Sequence, residues 1–349
     1  MTSNRLTMKN IAEMAEVDKS IVSKVINGAK SIPASPAKIR QVRLLIEKYQ
    51  YTPMGAAQSL ATRRTNQIEF LLSSTTEALY ASPAFGQMFC GVVKACRANR
   101  YQCLADINDF TEIKEFVVPE NMRRRNIDGC ILAGNISDEM FEKIAEMEIP
   151  MVVLGGEYVK DRVPSVTWNS FEAFSEVFGI LSENGHERIW FADDSANIRN
   201  RFRQLKPEKR GLRIEILDLC GNDEIARARR YAEQFAALSK NKRPTLIWGC
   251  DQFCCSLVGA LAKKGFRCPD DFSILCSSET EMSECFNPPL STYSQNFVEV
   301  GYNGGLLMIE ILKKKLNTPQ AIQLAEQYVT KGFYHKRDSI KNLKEGSVK

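Results

Sequence analysis

Histidine is almost missing from this 349-residue chain, which has two, His186 and His335. His186 falls in NGHERIWF, where a turn from helix to strand gives it a structural role, and His335 lies near the C-terminal end in GFYHKRD. Also absent are G-x-S-x-G, the phosphate-binding P-loop, H-E-x-x-H, and a G-x-G-x-x-G that opens a helix after a strand. These absences argue against an enzyme. No apolar run is long enough to span a bilayer, so no membrane association is expected. The first twenty residues, MTSNRLTMKNIAEMAEVDKS, carry a charge every few positions and have no apolar h-region, so the chain is expected in the cytoplasm. Cysteine, by contrast, is plentiful at eleven, an odd number spread from Cys90 to Cys285. In a cytosolic chain these are reduced thiols, many of them small apolar core residues. The tightest group, Cys250, Cys254 and Cys255, has neither a C-x-x-C pair nor a nearby His, so no metal site and no cofactor are expected.

What is present points to a globular protein of more than one domain. Hydrophobic residues at 44% and charged residues at 26% are ordinary globular values, and the length exceeds what one core usually supports. The net charge of +5 is unevenly placed. Residues 1–64 hold eleven Lys/Arg against four acids, whereas the remaining 285 hold 36 basic and 38 acidic residues. A small basic module on a near-neutral body implies a polyanionic partner for the first segment only.

That first segment reads as three short helices. The first spans about Met8 to Ala15 with Thr7 as its N-cap. Asp18 caps the second, which Asn27-Gly28 ends. Ser35 caps the third, with Pro36 in its first turn, and Ile39, Val42, Leu45 and Ile46 follow at helical spacing. After Tyr51-Thr52-Pro53 comes a short Ala-rich piece, MGAAQSLATRR. From Gln67 strands and helices alternate. The expected strands are 68–72, 102–107, 128–134, 150–155, 165–168, 188–192, 213–219, 245–250 and 272–277. Repeated β-α units with near-continuous apolar strands imply parallel sheets covered on both faces, and nine strands suit two doubly wound lobes with a ligand between them.

The second helix, DKSIVSKVIN at 18–27, is unusual in its β-branched content. Ile21, Val22, Val25 and Ile26 recur at i, i+1, i+4 and i+5. At about 100° per residue they fill one half of the helix, and Lys19, Ser20, Ser23 and Lys24 fill the other. The apolar half can pack on Ile11, Met14 and Ala15 of the preceding helix. The polar half offers the donors that contact phosphates and base edges in a major groove. Two short helices joined by AEVDKS fit a helix-turn-helix.

Here a family resemblance enters. TMKNIAEMAEVDKSIVSKVING, the third helix, and YTPMGAAQSLATRRTNQIEFLL resemble the DNA-binding domain and hinge of the LacI/GalR family of bacterial transcription regulators. The resemblance continues through DGCILAG, IPMVVLGG, VPSVTWN, NGHERIWF, KKGFRCPDDFSIL and NPPLSTYSQNFVEVGYNGG, and so covers nearly the whole chain. It implies an N-terminal all-α helix-turn-helix domain (1–53), a hinge helix and linker (54–66), and an α/β two-lobed core of parallel doubly wound sheets, like a periplasmic binding protein (67–336). A polar tail (337–349) follows. It implies a homodimeric, sequence-specific repressor of a pseudo-palindromic operator in double-stranded DNA, controlled by a small-molecule effector, a sugar or derivative. The alternatives are a solute-binding protein of the same core fold with no regulatory role, and a DNA-binding regulator without an effector.

Residue by residue, Lys19, Ser20 and Lys24 match the positions that read bases, and Thr7, Ser23 and Asn27 match those at the backbone. Asp18 departs from the family's usual Ser or Thr, and a carboxylate beside phosphate is repulsive, so it is a cap rather than a contact. The hinge piece MGAAQSLA is far too short to be helical alone. In the family a hinge leucine wedges into the minor groove, and Leu60 matches it, with Ala57 facing its partner and Met54 near the start. In the core, Phe85 matches an aromatic that lines the effector site, and Asp251 matches the Asp of an A-N-D motif, although Cys250 replaces its Asn. Ser278 stands where the family commonly has a carboxylate. The family's ligand-binding arginine has three candidates here, Arg199, Arg201 and Arg203, in a segment shorter than usual.

Overall fold

The computed structural model describes residues 6–26, 28–29, 31–51, 64–73, 83–108, 117–134, 136–155, 159–192, 196–218 and 224–344. The chain divides into two compact units, Met1–Asn66 and Gln67–Lys349.

The first unit holds α1 (Met8–Ala15), α2 (Lys19–Ile26) and α3 (Pro36–Lys48). Thr7 and Asn10 form a reciprocal capping box at the start of α1, and Ser35 accepts from the Lys38 N–H at the start of α3. Glu16 ends α1 in a left-handed conformation at φ 53°, and the Val17 N–H returns to the Ala12 carbonyl at 3.0 Å. Gly28, at φ 64°, closes α2 with the same pattern, as the Ala29 N–H reaches the Lys24 carbonyl. Lys38 adds a cation at the C-terminus of α1, with Nζ 2.8 Å from the Ala15 carbonyl oxygen. The core is Ile11, Ala12, Ala15, Val22, Val25 and Val42. Met14 was expected in it and is not there. On α1 the stripe runs through 11, 12 and 15, which turns Met14 about 100° away, and it is 39% exposed.

The second unit has two sheets. The first consists of β1 (Gln67–Ser73), β2 (Gln102–Asn108), β3 (Gly129–Gly134), β4 (Met151–Leu154) and β5 (Ser165–Val166), all parallel in the order β2-β1-β3-β4-β5. The second consists of β6 (Arg188–Phe191), β7 (Arg213–Ile216), β8 (Leu246–Gly249), β9 (Ser273–Cys276), β10 (Ser291–Ser294) and β11 (Phe333–His335). Its order is β11-β10-β9-β8-β6-β7, with only β11 antiparallel. The two lobes thus repeat one winding, and an extra edge strand is added to the second.

Helices cover both faces of each sheet. Ile68, Phe70 and Leu72 of β1 pack under α4 (Pro83–Ala98), and Leu71 points to the opposite layer. In the second lobe, α7 (Ser170–Glu183) packs Phe174 and Phe178 against Phe191 and Trp248, while α9 (Glu224–Ala237) and α10 (Asp251–Ala262) cover the other face. The chain returns to the first lobe through α12 (Phe297–Lys314), which crosses α4 at glycines. A Cβ at Gly301 would stand 1.9 Å from the Met88 carbonyl oxygen, and one at Gly91 2.1 Å from that of Val298. No other residue permits this approach. Where the chain passes between lobes, the crossings pair with one another: the Thr330 N–H donates to the Thr167 carbonyl at 2.9 Å, and the Asn169 N–H to that of Thr330 at 3.1 Å.

Two expectations change. Eleven strands are described rather than nine, because β10 and β11 lack an apolar run. The stretch set apart as a polar tail at 337–349 is, through 344, built into the second lobe. Ser339 is fully buried, donates to the Ile274 carbonyl at 2.7 Å, and accepts from the Ser291 N–H at 2.7 Å. Ile340 packs in the second-lobe core, and the Leu343 N–H donates to the Asn184 carbonyl. Buried polar groups that bond one another replace the apolar signal that would have marked this strap.

Candidate functional site

Two places concentrate the residues singled out above. The first is the outer face of α2. Val22 and Val25 are buried, so the helix is fixed in phase and Lys19, Ser20 and Lys24 are turned to solvent. Asp18 Oδ1 accepts from the Ser20 N–H at 2.8 Å, which is the capping bond expected of it, and the Ser20 hydroxyl together with this bond holds the Asp18 carboxyl below its ordinary range. Lys19 and Lys24 have no carboxylate partner among the described residues. Ser23 is half-buried on the border of the two faces. Thr7 is exposed, but its hydroxyl is engaged in the capping box at 2.6 Å from Asn10 Oδ1. Asn27, Met54, Ala57 and Leu60 lie outside the described residues.

The second place is the carboxyl end of the strands in the large unit. In a doubly wound sheet, ligands bind where the strand order reverses, beyond those ends. Asp251 begins α10 directly after β8 and is 6% exposed. Ser278 follows β9, the neighbour of β8, and is equally buried. Phe85 opens α4 in the first lobe, half-buried against its core. Arg201 lies on α8 (Ala196–Leu205), where its guanidinium sits 5.7 Å over the Phe171 ring and donates to Gln204 at 2.9 Å. The backbone of Arg199 is on the same helix, and its side chain lies outside the described set. Asp251 and Ser278 are thus brought to adjacent strand ends, while Arg201 is occupied on its own helix and α7.

Sequence reasoning missed the partners in this region. Thr280 donates to Asp251 Oδ2 at 3.1 Å. Glu279 accepts two bonds from Arg337, at 2.5 and 3.2 Å, and another from Thr292. Burial opposes ionisation of Glu279, and the Arg337 and Thr292 bonds outweigh it, so the carboxyl is held below the usual range. The carbonyl of Glu279 accepts from Gln87 Nε2 at 2.9 Å, which links the lobes. Position just beyond β9 was the available signal for Thr280 and Glu279, whereas Arg337, from the C-terminal strap, had none. Among the described residues no group of His, Cys, Asp and Glu could hold a metal ion, and no helix is long and apolar enough to cross a membrane.

Known proteins resemble this chain along most of its length. A family model described as a periplasmic binding protein-like domain matches residues 178–332. The HTH-type transcriptional repressor PurR of Aliivibrio fischeri is 26% identical over 352 aligned positions, covering 95% of this chain and 99% of that protein. Catabolite control protein A of Priestia megaterium is 23% identical over 326, covering 91% and 96%. Among solved structures, the Lac repressor bound to ONPG in its repressed state superposes with a TM-score of 0.75 at 18% identity, covering 96% of this chain and all of that one. The two-lobed fold with a helical N-terminal unit is therefore shared with these proteins.

Proposed function

We propose that this chain, which belongs to the LacI/GalR family of bacterial transcription regulators, is a homodimeric, sequence-specific repressor whose α2 reads the major groove of a pseudo-palindromic operator. The exposed Lys19, Ser20 and Lys24, presented by a helix whose opposite face is buried, carry this reading. The cations neutralise phosphates or donate to guanine edges, and Ser20 donates to or accepts from either. Thr7, Ser23 and Asn27 support backbone contacts. Leu60 is the wedge at the operator centre, with Ala57 facing the partner hinge and Met54 near the hinge start. Leu60→Ala is expected to lower operator affinity and reduce the bend seen by gel mobility, and an unchanged affinity and bend would sink the wedge. The protein acts in the cytoplasm and catalyses no reaction.

An effector, a sugar or derivative, binds beyond the strand ends at Asp251, Ser278 and Phe85, with Arg199 or Arg201 as the cationic contact. One observation favours a second reading, a regulator without an effector: Asp251 and Glu279 already have their hydrogen-bonding needs met inside the protein. A thermal-shift screen of the full chain against sugars, sugar phosphates, nucleosides and purines separates the two, since a ligand of the native state raises the melting temperature. Binding to duplex DNA as a function of salt tests the DNA reading itself. A steep fall in affinity with salt is expected, and a flat dependence would favour a plain solute-binding protein.

A further inference from the structure

One edge of the second sheet is β7, which among the described residues pairs with β6 alone. The Arg213 N–H donates to the Glu187 carbonyl and that of Leu217 to the Phe191 carbonyl, at 2.6 and 2.8 Å. Alternation along the strand therefore turns the N–H and C=O of Ile214 and Ile216 outward from the sheet edge. Among the described residues no strand pairs on that side. Beside the edge runs a groove of about 610 Å³, floored by Phe202 of α8 with Ile214 and Ile216, and rimmed by exposed Arg203, Lys206 and Arg213 with one acid, Glu208, among them. The segment 201–213 carries six basic residues and one acid, Glu208. Lys206 and Arg213 have no ion-pair partner among the described residues.

We propose that this groove receives an extended segment of a partner protein in which acidic and aliphatic residues alternate, added as a further strand along β7. The outward amides supply the pairing, the apolar floor takes every second side chain, and the basic rim takes the carboxylates between them. A duplex backbone matches the charge but has no use for an apolar floor or a strand edge. A second copy of this chain matches the edge but would oppose cation to cation. The proposal is independent of how α2 or the effector site works.

The probe is a set of peptides of about twelve residues, selected from a random display library on the full-length protein. The expected winners alternate Asp or Glu with Val, Ile or Leu, and bind the Lys206→Glu/Arg213→Glu double variant at least about ten-fold more weakly. The double variant should keep its melting temperature, which separates lost binding from lost folding. N-methylation of every second amide of a winning peptide should abolish binding in one phase and leave it intact in the other. The proposal is overturned if no selected peptide depends on Lys206 and Arg213, if N-methylation in both phases is harmless, or if random-sequence duplex DNA displaces the peptides from the groove.

Discussion

The outer face of α2 and the strand ends around Asp251 are both polar, and they differ in what their polar groups already touch. Lys19 and Lys24 stand in solvent without a carboxylate partner among the described residues. Asp251 is bonded by Thr280, and Glu279 by Thr292 and Arg337, within a largely buried cluster. The first arrangement offers donors at no internal cost. The second requires that a ligand replace bonds of comparable strength, so affinity there depends on differences of about 1 kcal/mol per exchanged bond. A polar face is thus readable as a binding surface when its groups lack internal partners, and less so when they have them.

The largest effect is expected where the outer face of α2 loses its support. Val22→Asp places an unpaired carboxylate in a core of six buried side chains. The first unit should lose about 4 kcal/mol or more, enough to unfold it, with operator binding abolished. Calorimetry should show the transition of the second unit unmoved.

A pH titration separates the units next. Both histidines lie in the second unit. His186 is 1% exposed beside the C-terminal strap, neither ring nitrogen reaches a side-chain partner, and burial pushes its pKa down to about 4. The unfolded chain takes up this proton near pH 6.5, while the fold refuses it until about 4. The contribution of His186 to second-unit stability should therefore be lost as pH drops from about 6.5 to about 4, a fall on the order of 3 kcal/mol. The first unit should hold through most of that window, because the stability contributed by its depressed carboxyls, Glu16 and Asp18, begins to be lost only as pH falls to their ordinary values of 4.5 and 3.8. Replacing His186 by Leu should flatten the slope in urea melts recorded across the range.

Arg337→Met sharpens the other side of the comparison with a smaller effect. It leaves Glu279, three-quarters buried, with Thr292 alone. A loss of about 1–3 kcal/mol in second-unit stability is expected from denaturant curves, without change in operator affinity. A neutral result would show that the pair is a surface ornament rather than part of the strand-end architecture.

How much of this was legible follows from where the signal resides. Caps such as Thr7, Asp18 and Ser35 act on residues two or three positions away, so they could be read directly from the chain. The apolar stripe of α2 and the strands of both sheets are periodic and local as well. The strand β10, STYS, is wholly buried yet contains no aliphatic residue. At its head the Ser291 hydroxyl donates to the Arg337 carbonyl and the Ser291 N–H to the Ser339 hydroxyl, more than forty positions on, and no local pattern records such a pairing. The same distance hid Arg337 from the effector region and made 337–344 resemble a tail. Met14 was misplaced because a stripe at i, i+1 and i+4 was read one residue too wide.

The exposed half of α2 is expected to read bases. Selection of duplexes from a random pool by the full-length protein, repeated with Lys24→Ala, tests it most directly. The account predicts a pseudo-palindromic consensus for the wild-type chain and, for the variant, relaxed preference at one position in each half-site. Enrichment of no sequence by the wild type, or the same consensus from both proteins, would contradict it.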